Sequence, residues 1–353
     1  MKFMHVIGIM SGTSTDGLDI ASCNFYQLND NQWEFTLEKA ETYGYSKEWQ
    51  HALSQAHKLD AFSLLQLNDK FGFYIGEKVN LFLKKNNIRA SLIGSHGHTV
   101  FHRPDAGLTY QIGSGKAIAI STGITTITDF RNEDVLKGGQ GAPLAPVGDY
   151  YLFNNYRFRV NLGGFANISY EKEGKMIAYD ICPANLLLNP MAEQHNKPYD
   201  KGGALAKSGA INQQLLQRLN NLDFYWKRPP KSLGREWLEE TMKQVSNQID
   251  KKPCNNLATF TEHISTQIAN AVNLSTLREK VLLTGGGAKN NYLVKRIKQK
   301  THHQICVPDQ DIIDYKEAVI FAFLAVLRKE NITNVWSSVT GAKEDSCSGT
   351  IYK

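Results

Sequence analysis

Three glycine-rich segments, each directly after an apolar run, are the first residues whose type and spacing could do chemistry: Gly12-Thr-Ser-Thr-Asp-Gly17, Gly163-Gly164 and Gly285-Gly-Gly287. Nucleotide phosphates need converging backbone N–H donors, a turn without Cβ crowding and usually a carboxylate to hold a metal. The first segment offers all of these: Gly12 and Gly17, the hydroxyls of Thr13, Ser14 and Thr15, and the carboxylate of Asp16, with Asp19 just beyond. One such segment alone would read as a glycine hairpin. Three at strand ends are hard to explain by hairpin geometry, and they point to phosphate binding by Gly163, Gly164, Gly285, Gly286 and Gly287 as well. The common single-loop solutions fail on the residues. Tyr110-Gln-Ile-Gly-Ser-Gly-Lys116 resembles the end of a P-loop, but Tyr110 replaces its first glycine and Ala117 replaces Ser or Thr. No GxGxxG stands at a strand-to-helix junction.

Three further groups could act on a ligand. Ser95-His-Gly-His-Thr-Val-Phe-His102 gathers three histidines at an expected strand end, where His96 and His98 would share a face. No carboxylate or cysteine set accompanies them, so no metal ligand is assigned, and substrate contact or a solvated strand end explains them better. Asp129-Phe-Arg-Asn-Glu-Asp134 runs into Gly138-Gly-Gln-Gly-Ala-Pro143, a flexible, charged stretch suited to a ligand loop, to an interdomain linker, or to both. Asp180 closes an apolar strand, and a carboxylate there can serve as a general base or as an ordinary helix-terminus charge.

The elements that must position these residues repeat in two halves. Residues 5–10, 18–26 and 33–37 read as three successive strands, the last placing Trp33, Phe35 and Leu37 on one face, with polar turn chemistry at 28–32. Helical periodicity runs from about 47 to 85, followed by a strand at 91–95, a helix near 116–121 and a strand at 124–130. The second half starts the same way, with strands at 158–162, 165–170 and 176–181. Helices follow at 185–195, weakly at 204–222 and 236–247, and strongly at 255–274, where Leu257, Phe260, Ile264, Ile268 and Val272 line one face. A strand at 281–283, a helix at 292–300, a strand at 304–307 and an apolar helix at 315–329 complete it. A duplicated βββαβα unit with a glycine turn after each first strand is the α/β pattern of paired ribonuclease H-like domains, as in actin and hexokinase, closing on a central cleft; by pattern alone an ordinary α/β protein without duplication fits the same elements equally well. The expected division is 1–145 with 335–353 for one domain and 146–334 for the other.

Composition sets the class. At 353 residues, 42% hydrophobic and 21% charged, the chain reads as globular with two cores. A formal charge of +6 is spread along the chain, which argues against a nucleic-acid partner. Cys23, Cys182, Cys254, Cys306 and Cys347 are odd in number and lack a CxxC pair, as suits a reducing compartment. The N-terminal apolar run is too short to span a membrane and lacks a cleavage site. A cytoplasmic protein without a membrane partner is expected.

The ordered set from Gly8 to Asp19, Ser95-His-Gly-His-Thr99, Asp129-Phe-Arg131, Gly138-Gly-Gln-Gly-Ala-Pro143, Asn161-Leu-Gly-Gly-Phe-Ala-Asn167, Asp180, Lys197-Pro-Tyr-Asp-Lys201 and Gly234-Arg-Glu236 strongly resembles the anhydro-N-acetylmuramic acid kinase family. The likeness extends from Gly8 to about Gly341. It implies an enzyme that opens the 1,6-anhydro ring of that amino sugar with water and moves the γ-phosphoryl group of ATP to the freed O6, giving N-acetylmuramic acid 6-phosphate in cell-wall recycling. It implies ATP and Mg²⁺ as cofactors, a small-molecule amino sugar as substrate, and a homodimer. By position, Asp180 matches the family's catalytic aspartate, residues 12–19 its ATP phosphate loop, residues 285–287 its nucleotide-side turn, and Thr99, Arg131 and Glu317 its sugar-cleft positions. Where the family has Asp-Thr-Gly-Pro-Gly-Asn around the base, this chain has Asp180-Ile-Cys-Pro-Ala-Asn185. Ile181 removes a hydroxyl and Cys182 would crowd the backbone beside the base. A kinase for another amino sugar, or an impaired sugar and nucleotide binder, is therefore the competing reading.

Overall fold

A computed structural model describes residues 2–29 and 32–353; positions 30 and 31 of the expected 28–32 turn lie outside the described residues. The chain forms two compact units, Met1–Leu152 with Tyr315–Lys353, and Phe153–Asp314.

The first unit opens with β1 (Lys2–Ser11), β2 (Gly17–Asn29) and β3 (Gln32–Gly44), then α1 (Lys47–Gln55) and α2 (Ala61–Asn86). The periodicity between 47 and 85 is thus two helices. Asp60 breaks it by capping α2, its carboxylate accepting from the Ser63 amide at 3.0 Å. β4 (Leu92–Arg103), β5 (Leu108–Ile112), α3 (Gly115–Thr122), β6 (Thr126–Thr128), α4 (Asn132–Leu136) and α5 (Ala145–Leu152) follow.

The second unit holds β7 (Phe158–Leu162), β8 (Phe165–Lys172), β9 (Lys175–Pro183), α6 (Asn185–Glu193), α7 (Ala204–Ser208), α8 (Gln213–Asn220), α9 (Asp223–Trp226), α10 (Arg235–Gln244), α11 (Pro253–Val272), β10 (Lys280–Thr284), α12 (Asn291–Lys300) and β11 (Gln304–Cys306). Helix α13 (Gln310–Lys329) then leads back to α14 (Ser337–Thr340) and β12 (Thr350–Tyr352). The weak periodicity at 204–222 divides into α7 and α8 because Asn212 restarts the helix, accepting from the Leu215 amide at 3.1 Å.

Each unit carries one mixed sheet, and the two orders correspond: β12-β6-β4-β1-β2-β3 and β11-β10-β7-β8-β9. In each, three meandering antiparallel strands are extended from the first strand by parallel partners, β4 and β6 in one unit, β10 and β11 in the other. This is the ribonuclease H-like arrangement twice over, the α/β fold class expected from the sequence. One face of the first sheet packs on α2 through Ile7, Ile9, Ile20, Phe71 and Ile75, and the other on α13 through Val6, Ala21, Phe25, Phe321 and Phe323. In the second unit Leu257, Phe260, Ile264, Ile268 and Val272 of α11 are all fully buried against the sheet.

Two paired glycines seat α13. Gly8 and Gly94 lie opposite each other on β1 and β4. A Cβ on Gly8 would stand 1.9 Å from the Ala318 carbonyl oxygen, and one on Gly94 would stand 2.2 Å from that of Phe321. The helix backbone rests where side chains would otherwise be. That close approach places residues 315–334 with the first unit, whereas the sequence suggested a boundary at 334/335. Among the described residues no helix is long and apolar enough to cross a membrane, and all five cysteines are unpaired.

Candidate active site

In the first unit, the β1–β2 turn stands open. Thr13, Ser14 and Asp16 are exposed, Thr15 takes a left-handed conformation (φ 56°), and its amide donates to the Gly12 carbonyl at 3.2 Å. Gly17 has to be glycine, since a Cβ there would meet the Tyr43 carbonyl oxygen at 2.8 Å. The base of the turn is braced by a buried relay, Tyr45 OH donating to Ser11 Oγ (2.8 Å), which lies 3.1 Å from His98 Nδ1. Asp19 sits half-buried on β2 and accepts from Thr42 Oγ1 at 2.6 Å. Exposed hydroxyls, backbone N–H groups and a carboxylate on a rigid hairpin are the parts a phosphate chain and its cation require.

The histidines correct the expectation that they share a face. His96 and His98 lie inside β4 rather than at its end, and Gly97 between them has φ 72°, where the register with β1 slips. The His96 ring packs tilted against Phe321 on the α13 side (centroids 4.6 Å apart), while His98 meets Phe71 edge-on on the α2 side (6.5 Å). They point to opposite faces, and among the described residues no group of three metal-ligating side chains forms.

His96 instead receives Arg131. The guanidinium Nε donates to His96 Nε2 at 2.9 Å, and its Nη1 donates to the Gly141 carbonyl at 2.7 Å. Burial, then the Arg131 charge, hold the His96 pKa well below its ordinary value. The ring is therefore neutral, with Nδ1–H donating to the Gly97 carbonyl at 2.9 Å and Nε2 as acceptor. Burial lowers Arg131 itself to about 10, opposed by the negative charge of Glu317. Glu317, exposed on α13, is brought to Arg131 by the glycine seat. Thr99 lies half-buried on β4, three residues beyond His96 and opposite Gln111.

The segment from Arg131 to Pro143 is neither a loose loop nor a linker. The fully buried Asp134 carboxylate accepts from the Gly141 amide (2.7 Å) and from Thr340 Oγ1 (2.6 Å), and the Gln140 amide donates to the Thr340 carbonyl at 2.9 Å. Gly139 admits that carboxylate, because a Cβ there would lie 2.2 Å from Asp134 Oδ2. Arg131 is thus held from both sides.

In the second unit, the other two expected glycine turns, Gly163-Gly164 and Gly285–Gly287, meet around the end of β7. Gly163 and Gly164 turn their carbonyls to the start of α6, accepting from the amides of Ala184 (2.8 Å), Asn185 (3.1 Å) and Leu186 (3.2 Å). The N–H groups of that helix start are consequently spent on the turn. Gly285 adopts φ 78°, and a Cβ on it would meet Asn161 Oδ1 at 2.5 Å; one on Gly287 would meet Leu162 Cβ at 2.7 Å. A 530 Å³ cavity opens beside Gly286 and Gly287, lined also by Asn185, Tyr199, Lys201 and Gln310. Amides and a phenol ring with a lysine at hand suit a nucleoside with attached phosphates.

Asp180 sits on β9 where the strand bulges. Asn167 of β8 faces Asp180 and Ala166 faces Cys182, leaving Ile181 as the extra residue. A bulge re-aims its neighbouring side chains. Ile181 and Cys182 enter the core of the second unit, and Asp180 stays half-buried. Burial raises the Asp180 pKa, partly offset by the Leu233 amide, which donates to Oδ2 at 2.9 Å. A carboxylate with one oxygen held and a raised proton affinity is a competent general base. Cys182, fully buried, has its thiol pKa pushed up by burial and then by the Asp180 charge, so it is inert.

The surroundings of that carboxylate were not foreseen from the sequence. Lys231 and Leu233 belong to an irregular stretch before Gly234, and only the Gly234-Arg-Glu236 sequence beside them drew attention. Tyr225 and His263 gave no local signal, because the bond between Tyr225 OH and His263 Nε2 (2.9 Å) joins positions 38 residues apart.

The family model for anhydro-N-acetylmuramic acid kinase matches residues 4–353. A protein of that name from Hydrogenovibrio crunogenus is 33% identical over 368 residues, covering 98% of this chain and 97% of its own. Another of the same name, from Haemophilus influenzae, is 35% identical over 386 residues, covering 100% of this chain and 98% of its own.

Proposed function

Because this chain belongs to the anhydro-N-acetylmuramic acid kinase family, we propose that it hydrolytically opens 1,6-anhydro-N-acetylmuramic acid and phosphorylates the freed O6 with ATP. The observation that carries the mechanism is the half-buried Asp180 carboxylate, aimed by the β9 bulge, with Oδ2 tied to Leu233 and Oδ1 left for a proton. Asp180 takes a proton from water while the water oxygen attacks the anomeric carbon. The C1–O6 bond breaks, and its electron pair stays on O6. O6 then attacks the γ-phosphorus, and the bond to the bridging oxygen breaks with ADP as leaving group. Phosphoryl capture of O6 removes the need for a separate acid of the glycosidase type. One base thus starts two coupled bond changes, and the rest of the catalysis is positioning and charge stabilisation.

The other residues divide by chemistry. The turn formed by Gly12, Thr13, Ser14, Thr15, Asp16 and Gly17 binds the ATP phosphates. The cavity at Gly285, Gly286 and Gly287 binds the nucleoside, and Gly163 and Gly164 shape its floor by fixing α6. Thr99, Arg131 and Glu317 bind the sugar. Mg²⁺ keeps most of its waters and needs only one or two protein carboxylates beside the phosphates. The exposed Asp16 and half-buried Asp19 fit that demand, and the ion would neutralise the charge on the transferred group. A homodimer in the cytoplasm completes the reading. Ile181 and Cys182 lie in the core, so their departure from the family pattern does not favour a different sugar.

The test is mass spectrometry of the product formed from the anhydro sugar, ATP and ¹⁸O-water. Incorporation of one labelled oxygen together with one phosphoryl group is expected. A phosphorylated product without label, or label without phosphate, would overturn the coupled mechanism.

A further inference from the structure

We infer that Lys231 is a positioning residue that holds the base in register through the backbone of residues 231–233, an inference that rests on the role proposed for Asp180. Two bonds tie Asp180 to this segment. Its own amide donates to the Lys231 carbonyl at 3.1 Å, and the Leu233 amide donates to its Oδ2 at 2.9 Å. The segment between α9 and α10 has no helix or strand structure of its own, and its Ser232 and Gly234 are exposed. Backbone alone would leave it mobile, and the carboxylate with it.

The Lys231 side chain supplies the missing anchor. Its Nζ reaches back to the Phe224 carbonyl at 3.2 Å and the Tyr225 carbonyl at 3.5 Å, on the short helix α9. It also lies 4.6 Å from the centre of the Phe224 ring and 5.5 Å from that of Tyr179. The anchor point is itself fixed to α11. Tyr225 OH donates to His263 Nε2 at 2.9 Å, and His263 Nδ1 donates to Asn220 Oδ1 at 2.7 Å, where Gln267 Nε2 also donates at 3.0 Å. Burial holds His263 down at about 3, so the ring is neutral and both of its bonds have a defined direction. A continuous path runs from the rigid helix α11 through Tyr225 and Lys231 to the oxygen of Asp180 that must not move.

The groups that could confuse a titration at this end of β9 are Lys231, Tyr179, Tyr225 and Cys182. Burial pushes the two phenols and the thiol up, away from the acid range, and pulls Lys231 down. The acid limb of the rate therefore reports Asp180. The Leu233 amide favours the ionised carboxylate, so releasing it moves that limb to higher pH.

The experiment compares Lys231→Met, Lys231→Arg and Tyr225→Phe with the wild-type enzyme, each first shown by circular dichroism to be folded. Lys231→Met is expected to lower kcat about 10- to 100-fold, the scale on which a small misplacement of a reacting group acts. The KM for ATP stays unchanged and the acid limb rises. Lys231→Arg restores most of the rate, and Tyr225→Phe shifts the limb in the same direction by less. A folded Lys231→Met variant with a wild-type acid limb would overturn the inference, and so would a change confined to the KM for the sugar. Carboxyl ¹³C NMR of Asp180, assigned with Asp180→Asn, reads the same shift without turnover. A shift there in a protein that does not act on the anhydro sugar would keep the positioning role and remove the proposed reaction instead.

Discussion

Replacing Gly8 with alanine tests whether the seat of α13 controls Arg131 and Glu317, the residues proposed to bind the sugar. The added Cβ would lie 1.9 Å from the Ala318 carbonyl oxygen, 2.7 Å from its carbon and 2.9 Å from Ala322 Cβ. Restoring an ordinary contact of about 3.4 Å requires α13 to withdraw by about 1.5 Å. The obstacle is helix backbone, so no rotamer change relieves it. Overpacking of a tight core costs about 1–3 kcal/mol and more when backbone must move, so about 3 kcal/mol is expected for Gly8→Ala. In a unit of this size that lowers the thermal midpoint by about 6–12 °C. Glu317 sits one residue from Ala318 and moves with it, away from Arg131. A displacement of that size costs on the order of 100-fold in rate. Differential scanning calorimetry and kcat/KM for the sugar measure the two effects, and Gly8→Ala with Ala322→Gly is the control. Because the carbonyl oxygen is nearer than Ala322 Cβ, the second change should restore little. A variant as stable as wild type, or full rescue by Ala322→Gly, would refute the reasoning.

Four other outcomes follow from the same geometry. Asp180→Asn should abolish turnover and raise the thermal midpoint at pH 7. A carboxyl whose folded pKa is raised makes stability fall as pH rises from its unfolded value through its folded one, and the amide removes that loss; an unchanged or lowered midpoint contradicts it. His96 and His263 are neutral in the fold, with pKa values held below the ordinary value, His263 at about 3. Their contribution is complete above about pH 6.5 and is lost as pH falls toward 3, so thermal midpoints should drop across that window, less steeply for His263→Gln. Arg131→Lys loses the fork that spans His96 and Gly141, and kcat/KM for the sugar should fall by about 10- to 100-fold with the KM for ATP unaffected. Iodoacetamide at pH 8 should leave Cys182 unmodified in the folded enzyme, as peptide mass mapping would reveal, since the thiol is buried and its pKa raised.

Much of the architecture was legible locally. Alternation over 18–26 and 33–37 marks β2 and β3, and the stripe from Leu257 to Val272 marks α11, because burial of one face imposes the period of the backbone on the residue types. Capping was legible only in part. Asp60 and Asn212 divide helices that periodicity alone runs together, since a side chain accepting one amide outweighs a few favourable positions. The glycine turns were readable as turns, and their contrast was not: residues 12–17 stand open, whereas the carbonyls of Gly163 and Gly164 are taken up by α6.

What the amino-acid order carried by itself is the succession of strands and helices, through periodicity, and the family, through an ordered set of motifs; Asp180 entered as the proposed base through that family likeness, since a carboxylate at a strand end suits a helix-terminus charge as well. Tertiary structure alone decided that His96 and His98 face apart, that Ile181 and Cys182 are core residues, and that Lys231 and Leu233 flank Asp180. Each of those outcomes turns on a one-residue slip in strand register, at Gly97 or at Ile181, or on a contact between distant segments. A slip of one residue exchanges the two faces of a strand, and nothing in the residue types along the chain announces where it occurs.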